Sequence, residues 1–80
     1  MKVNIRLFAI MSQYAQTGHL SLDIPDGSTV AAVREELARR FPTMPWPPGT
    51  LLAVNQEYAG ERTPLSGGDE IAVIPPVSGG

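Results

Sequence analysis

Few residues of this chain could do chemistry on their own. There is no cysteine and His19 is the only histidine, which excludes thiol nucleophiles and metal sites of Cys/His spacing. Glu35-Glu36 and Asp69-Glu70 are adjacent pairs. Neighbours face opposite ways in a strand and do not face one another on a helix, so paired-carboxylate catalysis is not expected, and Asp69 reads as a turn residue. Ser78 has no evident base or triad partner. His19 stands apart from any cluster and reads as a solvent-facing or hairpin residue. Gly67-Gly68 is too short and wrongly placed for a Walker-type phosphate loop, so the chain is not expected to bind ATP by itself. Arg6, Arg39 and Arg62 read as solvated charges able to steer an acidic partner. What remains is the last stretch, Ile74-Pro75-Pro76-Val77-Ser78-Gly79-Gly80. There a stiff proline pair leads to two slim residues and, at Gly80, a carboxylate. Two glycines present no side chain to a narrow channel and accept backbone angles that other residues resist. Pro75-Pro76 restricts the base of this arm to extended backbone. Six extended residues reach about 20 Å at ~3.3 Å each, enough to enter a partner's active site.

The elements that must hold such an arm are legible in the pattern. Lys2 to Leu7 alternates polar and apolar, with Val3, Ile5 and Leu7 inward, and predicts a half-buried strand. Phe8 then falls on the outward parity. Residues 10–16 fit a short helical turn closed by Gly18, and Leu20, Leu22 and Ile24 mark a second strand over 19–24 that pairs with the first as a hairpin. Pro25-Asp26-Gly27 is a turn, and Ser28 or Thr29 is a natural N-cap. Val30, Val33, Leu37 and Phe41 form one stripe of an amphipathic helix over 29–41, with Arg39 and Arg40 at its negative end. Pro42 ends it, and four prolines make 42–50 a loop. A short apolar strand at 51–54 turns at Asn55-Gln56 and continues through Tyr58. Glu70 to Ile74 is apolar on both parities, so it belongs at the sheet centre.

This order of strands around one main helix predicts an α+β domain of the β-grasp, or ubiquitin-like, kind. Its mixed sheet has four to five strands and one covered face. The first and last strands lie parallel at the centre, and a mobile C-terminal tail leaves beyond them. The domain is expected to span 1–74 and the tail 75–80. Phe8 and Ile74, both of outward parity, and Tyr58, joining them from the neighbouring strand, are the candidate docking patch on the open face, and Pro75, Pro76, Val77 and Ser78 are the candidate contact segment of the arm.

Composition points the same way. Eighty residues make one small domain with a modest core, and a complete enzyme site normally wants a pocket of about 300 Å³ or more. A carrier, binding or subunit role is therefore favoured. The net charge of −2 and single lysine, Lys2, give no basic surface for nucleic acid. No apolar run suits a signal peptide or a membrane span. With no cysteine, a reducing cytoplasmic setting is expected.

Residues 51–80 resemble the small-subunit family of molybdopterin synthase (MoaD-like), within the ThiS/MoaD ubiquitin-like sulfur carriers. The likeness rests on Val54-Asn55, Pro64-Leu65, Gly68-Asp69-Glu70 and the run from Pro75 to Gly80, and Val3 to Ala9 is similar to the family's first strand. The Pro75-Pro76 pair favours the molybdenum-cofactor member over the related thiamine and cysteine-synthesis carriers. The resemblance implies that an ATP-dependent, ubiquitin-activating-type enzyme adenylates the Gly80 carboxylate, using ATP with Mg, and that a sulfur donor then replaces AMP to leave a thiocarboxylate. It further implies delivery of that sulfur to a pterin precursor held by a large synthase subunit, in a heterotetramer. This chain is then the sulfur-donating subunit of a synthase and holds no cofactor itself. Carriers of this kind also include protein modifiers joined to lysines through the last glycine, and that alternative stays open. Near absence of lysine argues against self-chains but not against single conjugation.

Overall fold

The structure is a computed structural model and describes residues 1–76. Five strands and two helices follow in the order β1 (Lys2–Leu7), α1 (Ala9–Ala15), β2 (His19–Asp23), α2 (Val30–Arg40), β3 (Leu51–Val54), β4 (Glu57–Ala59) and β5 (Glu70–Ile74). The sheet order is β2-β1-β5-β3-β4, so β5 is the middle strand, as its two-sided apolar pattern requires. β1 and β5 run parallel, with Asn4 beside Glu70 and Leu7 beside Val73, while β1–β2, β3–β5 and β3–β4 are antiparallel. Parallel pairing places the end of β5 at the same side of the sheet as the end of β1.

One face of the sheet is covered. Val3, Ile5, Leu7, Leu22, Ile71 and Val73 point into a core closed by Val30, Val33 and Leu37 of α2, Met11 of α1 and Met44 of the loop after α2. Val33, Leu37, Met11, Ile71 and Val73 have no exposed surface at all, so the apolar stripe read from spacing is the face that packs.

Three details depart from what spacing alone suggests. The residues after β1 form a two-turn helix, α1, and it ends at Gln16 in the left-handed region (φ 61) rather than at Gly18. Gly18 instead accepts the Leu7 amide at 3.0 Å. Thr29 is the N-cap of α2 but its side chain makes no capping bond. The free amides are met by a neighbouring loop: Val30 N donates to Thr63 O and Ala31 N to Glu61 O, both at 3.0 Å. Lastly, the strand beyond Asn55-Gln56 is a separate edge strand. Asn55 (φ 50) and Gln56 (φ 74) both take left-handed backbone, the geometry of a two-residue hairpin turn.

The loop 42–50 is fastened along its length. Tyr14 Oη and Thr43 Oγ1 share a hydrogen bond, Met44 is buried, and the Arg34 guanidinium stands 5.4 Å from the centre of the Trp46 ring. A turn closes it, with the Thr50 amide (3.1 Å) and hydroxyl (2.6 Å) both donating to Pro47 O. Among the described residues, no helix is long and apolar enough to cross a membrane.

Candidate functional site

The open face of the sheet carries the outward-parity residues in register. One row crosses all five strands: His19, Arg6, Ala72, Ala53 and Tyr58 are successive partners. Ala53 and Ala72 are small, and the row therefore dips at its centre. A hollow of about 290 Å³ lies there, lined by Phe8, Ala53, Tyr58, Ala72 and Ile74, with Arg6, Gln56 and Glu70 also bordering it. Phe8, Tyr58 and Ile74, separated by up to 66 positions in the chain, are thus gathered around a single depression.

Its walls are exposed apolar groups. Tyr58 is 73% exposed and Phe8 38%, whereas Ala53 is buried. Phe8 is held by its own strand: the Arg6 guanidinium lies 5.3 Å from its ring centre, a cation–π contact that stiffens both side chains. Arg6 also stands 4.0 Å from Glu70, a loose and solvated pair of little energetic weight. The chain then turns sharply, because Ala9 takes φ 52. Left-handed backbone is costly for alanine, so the corner stores strain beside Phe8.

At the other end of β5 the Val54-Asn55 and Gly68-Asp69-Glu70 segments meet. Asn55 Nδ2 donates to Asp69 Oδ1, Glu70 N donates to Asn55 Oδ1, both at 3.0 Å, and Ser66 N donates to Asp69 Oδ2 at 2.8 Å. The Ser66 amide first, and Asn55 second, hold the Asp69 carboxyl below its ordinary range. Asp69 is therefore a turn-locking acceptor with its lone pairs engaged, and not a poised proton carrier.

β5 hands on to Pro75 and Pro76, half-buried and exposed respectively. Of the candidate site residues, Val77, Ser78, Gly79 and Gly80 lie outside the described residues. The floor residues Ala53 and Ala72 were not singled out from sequence. Their shared outward parity was the available signal, but an alanine announces nothing without the register that sets two of them side by side.

A sequence model of the ThiS family matches residues 5–80. The molybdopterin synthase sulfur carrier subunit of Arabidopsis thaliana is 33% identical over 81 residues, covering 100% of this chain and 84% of that protein. Among solved structures, SAMP1 of Haloferax volcanii superposes with a TM-score of 0.87 at 25% identity, covering 100% of both chains. A chain of the complex of subunits 1 and 2 of molybdopterin-converting factor from Helicobacter pylori gives a TM-score of 0.73 at 25% identity, again with 100% of both covered.

Proposed function

Because the chain belongs to the ThiS family, we propose that it works as the sulfur carrier subunit of a molybdopterin synthase. The full-length match to a protein of that name carries this reading. In it, the Gly80 carboxylate attacks the α-phosphorus of ATP on a separate adenylating enzyme and pyrophosphate leaves. A sulfide-level donor then adds to the acyl carbon and AMP departs, leaving a thiocarboxylate. Sulfur is a softer and better nucleophile than the oxygen it replaces, and delivers itself to a pterin precursor on a large subunit. ATP and Mg belong to the adenylating partner in this scheme. The Helicobacter pylori complex supports a second-subunit partner, and a heterotetramer is the assembly proposed.

The hollow bounded by Phe8, Tyr58 and Ile74 supplies the docking face, since it offers exposed aromatic surface around Ile74, the last residue of the strand that leads to Pro75 and Pro76. A partner seated there receives the tip of the arm without any change in the domain. Incubation with ATP, the adenylating enzyme and sulfide is expected to raise the intact mass by the exchange of one oxygen for sulfur. Phe8→Asp and Ile74→Asp are expected to abolish adenylation with the circular dichroism spectrum unchanged. Wild-type transfer rates in both variants would remove the docking face from the scheme.

The likeness to SAMP1, a small archaeal modifier protein, favours a second reading as a modifier joined to other proteins through Gly80. Larger adducts in extracts, lost when Gly80 is deleted, distinguish it from the carrier.

A further inference from the structure

The β3–β5 ladder reaches its last pair at Leu51 and Ile74. Continuing the antiparallel register by two positions sets Gly49 opposite Pro76. The chain does continue that way: a Cβ built on Gly49 would stand 3.6 Å from the Pro76 Cβ and 3.8 Å from its Cγ, an ordinary van der Waals contact. Pro75 and Pro76 have no amide hydrogen, so β5 donates no ladder bond beyond Ile74 while packing carries on. We propose that the Pro47–Thr50 turn is the seat of the tail base, and that Gly49 is a positioning residue which keeps Pro75-Pro76 in line with β5 and thereby aims the reactive carboxylate.

Several observations converge on this seat. Gly49 has φ +90, a backbone that L side chains rarely adopt, so its turn is tied to glycine by conformation and not by lack of room. The turn is closed twice over, by the amide and the hydroxyl of Thr50 on the same Pro47 carbonyl. The loop behind it is anchored by buried Met44 and by Trp46 beneath Arg34. Two conformationally restricted pieces, a locked turn and a proline pair, therefore face one another. Such a pair fixes a direction at little entropic cost, because neither has much freedom to lose. This gives the proline-rich loop a role that its composition alone does not reveal.

The inference rests on Gly80 being the group that reacts, and its test separates the two. In the full-length wild-type protein, a nuclear Overhauser contact is expected between the Gly49 α-protons and the Pro76 ring. Its absence overturns the seat whatever the chemistry of Gly80. Adenylation is then read by ATP–pyrophosphate exchange with the adenylating enzyme. Gly49→Val is expected to lower kcat about tenfold with KM held within about twofold, since misaiming a reacting group costs rate more than binding. In a Pro76→Ala background the same change is expected to have less than half that effect on a logarithmic scale, as coupled neighbours require. Thr50→Val, which keeps the side-chain volume but removes the hydroxyl bond, should act in the same direction more weakly and serves if Gly49→Val does not fold. Additive effects of Gly49 and Pro76, or a change confined to KM, overturn the positioning role. Exchange in wild type that persists after deletion of Gly80 overturns the reading of Gly80 and leaves the nuclear Overhauser result to judge the seat.

Discussion

Single residues here divide into those that hold geometry and those left free to be touched. Asn55 belongs to the first group: it clips the β3–β4 turn to Asp69 and Glu70 while itself in left-handed backbone. Asn55→Ala is expected to cost about 1–3 kcal/mol in urea unfolding, from two lost hydrogen bonds and an alanine forced to positive φ. Asp69 makes the same clip sensitive to pH. Its carboxyl is held low in the folded state, so the unfolded chain takes up the proton first as pH falls from about 5 through the unperturbed value near 3.9. The contribution is complete above that range and fades as pH drops through the lower folded value. Asp69→Asn should therefore trail wild type in stability at neutral pH and converge with it in acid. Phe8, Tyr58 and Ile74 belong to the second group; strand parity makes Phe8 and Ile74 legible, and Tyr58 enters only as a residue of the neighbouring strand. Gly49 and Pro76 were not legible as neighbours, because their contact spans 27 positions and exists only once the β3–β5 register is known.

At the scale of elements, the regular pieces followed from spacing and the junctions did not. The stripe through Val30, Val33 and Leu37 is the buried face of α2, and Leu37→Ala is expected to cost about 2–5 kcal/mol in thermal or urea unfolding because the site is fully enclosed. The start of that helix behaves differently from its sequence. Capping by Thr29 is what a Thr at this position ordinarily supplies, at about 1 kcal/mol. Here carbonyls of Glu61 and Thr63 meet the first amides instead, so Thr29→Ala should change stability by less than about 0.5 kcal/mol. A full capping loss in the same unfolding assay would contradict this. No local pattern could announce a cap delivered by a loop thirty-odd residues downstream. The same holds for α1, whose start at Ala9 (φ 52) obeys the docking of Met11 into the core over local preference.

For the whole molecule, the parallel β1–β5 centre was readable because the most apolar strand wants a neighbour at each edge while α2 covers Val3, Ile5 and Leu7; the places of β3 and β4 beyond it were not. The ends of the domain then fall into a mechanical relation. β1 begins at Lys2, β5 finishes at Ile74, and the two lie side by side and parallel. A pull between Lys2 and Pro75 drags these strands in opposite senses along their common length. Every hydrogen bond of that ladder is loaded together, in shear, and none can give way alone. A pull between Leu51 and Ala59 instead peels the β3–β4 hairpin open one bond after another. Optical-tweezer unfolding is expected to need more force with handles at Lys2 and Pro75 than with handles at Leu51 and Ala59. Force on the end of β5, with the domain held at the start of β1, thus loads their shared seam in shear, and the domain can act as a stiff grip for whatever follows it.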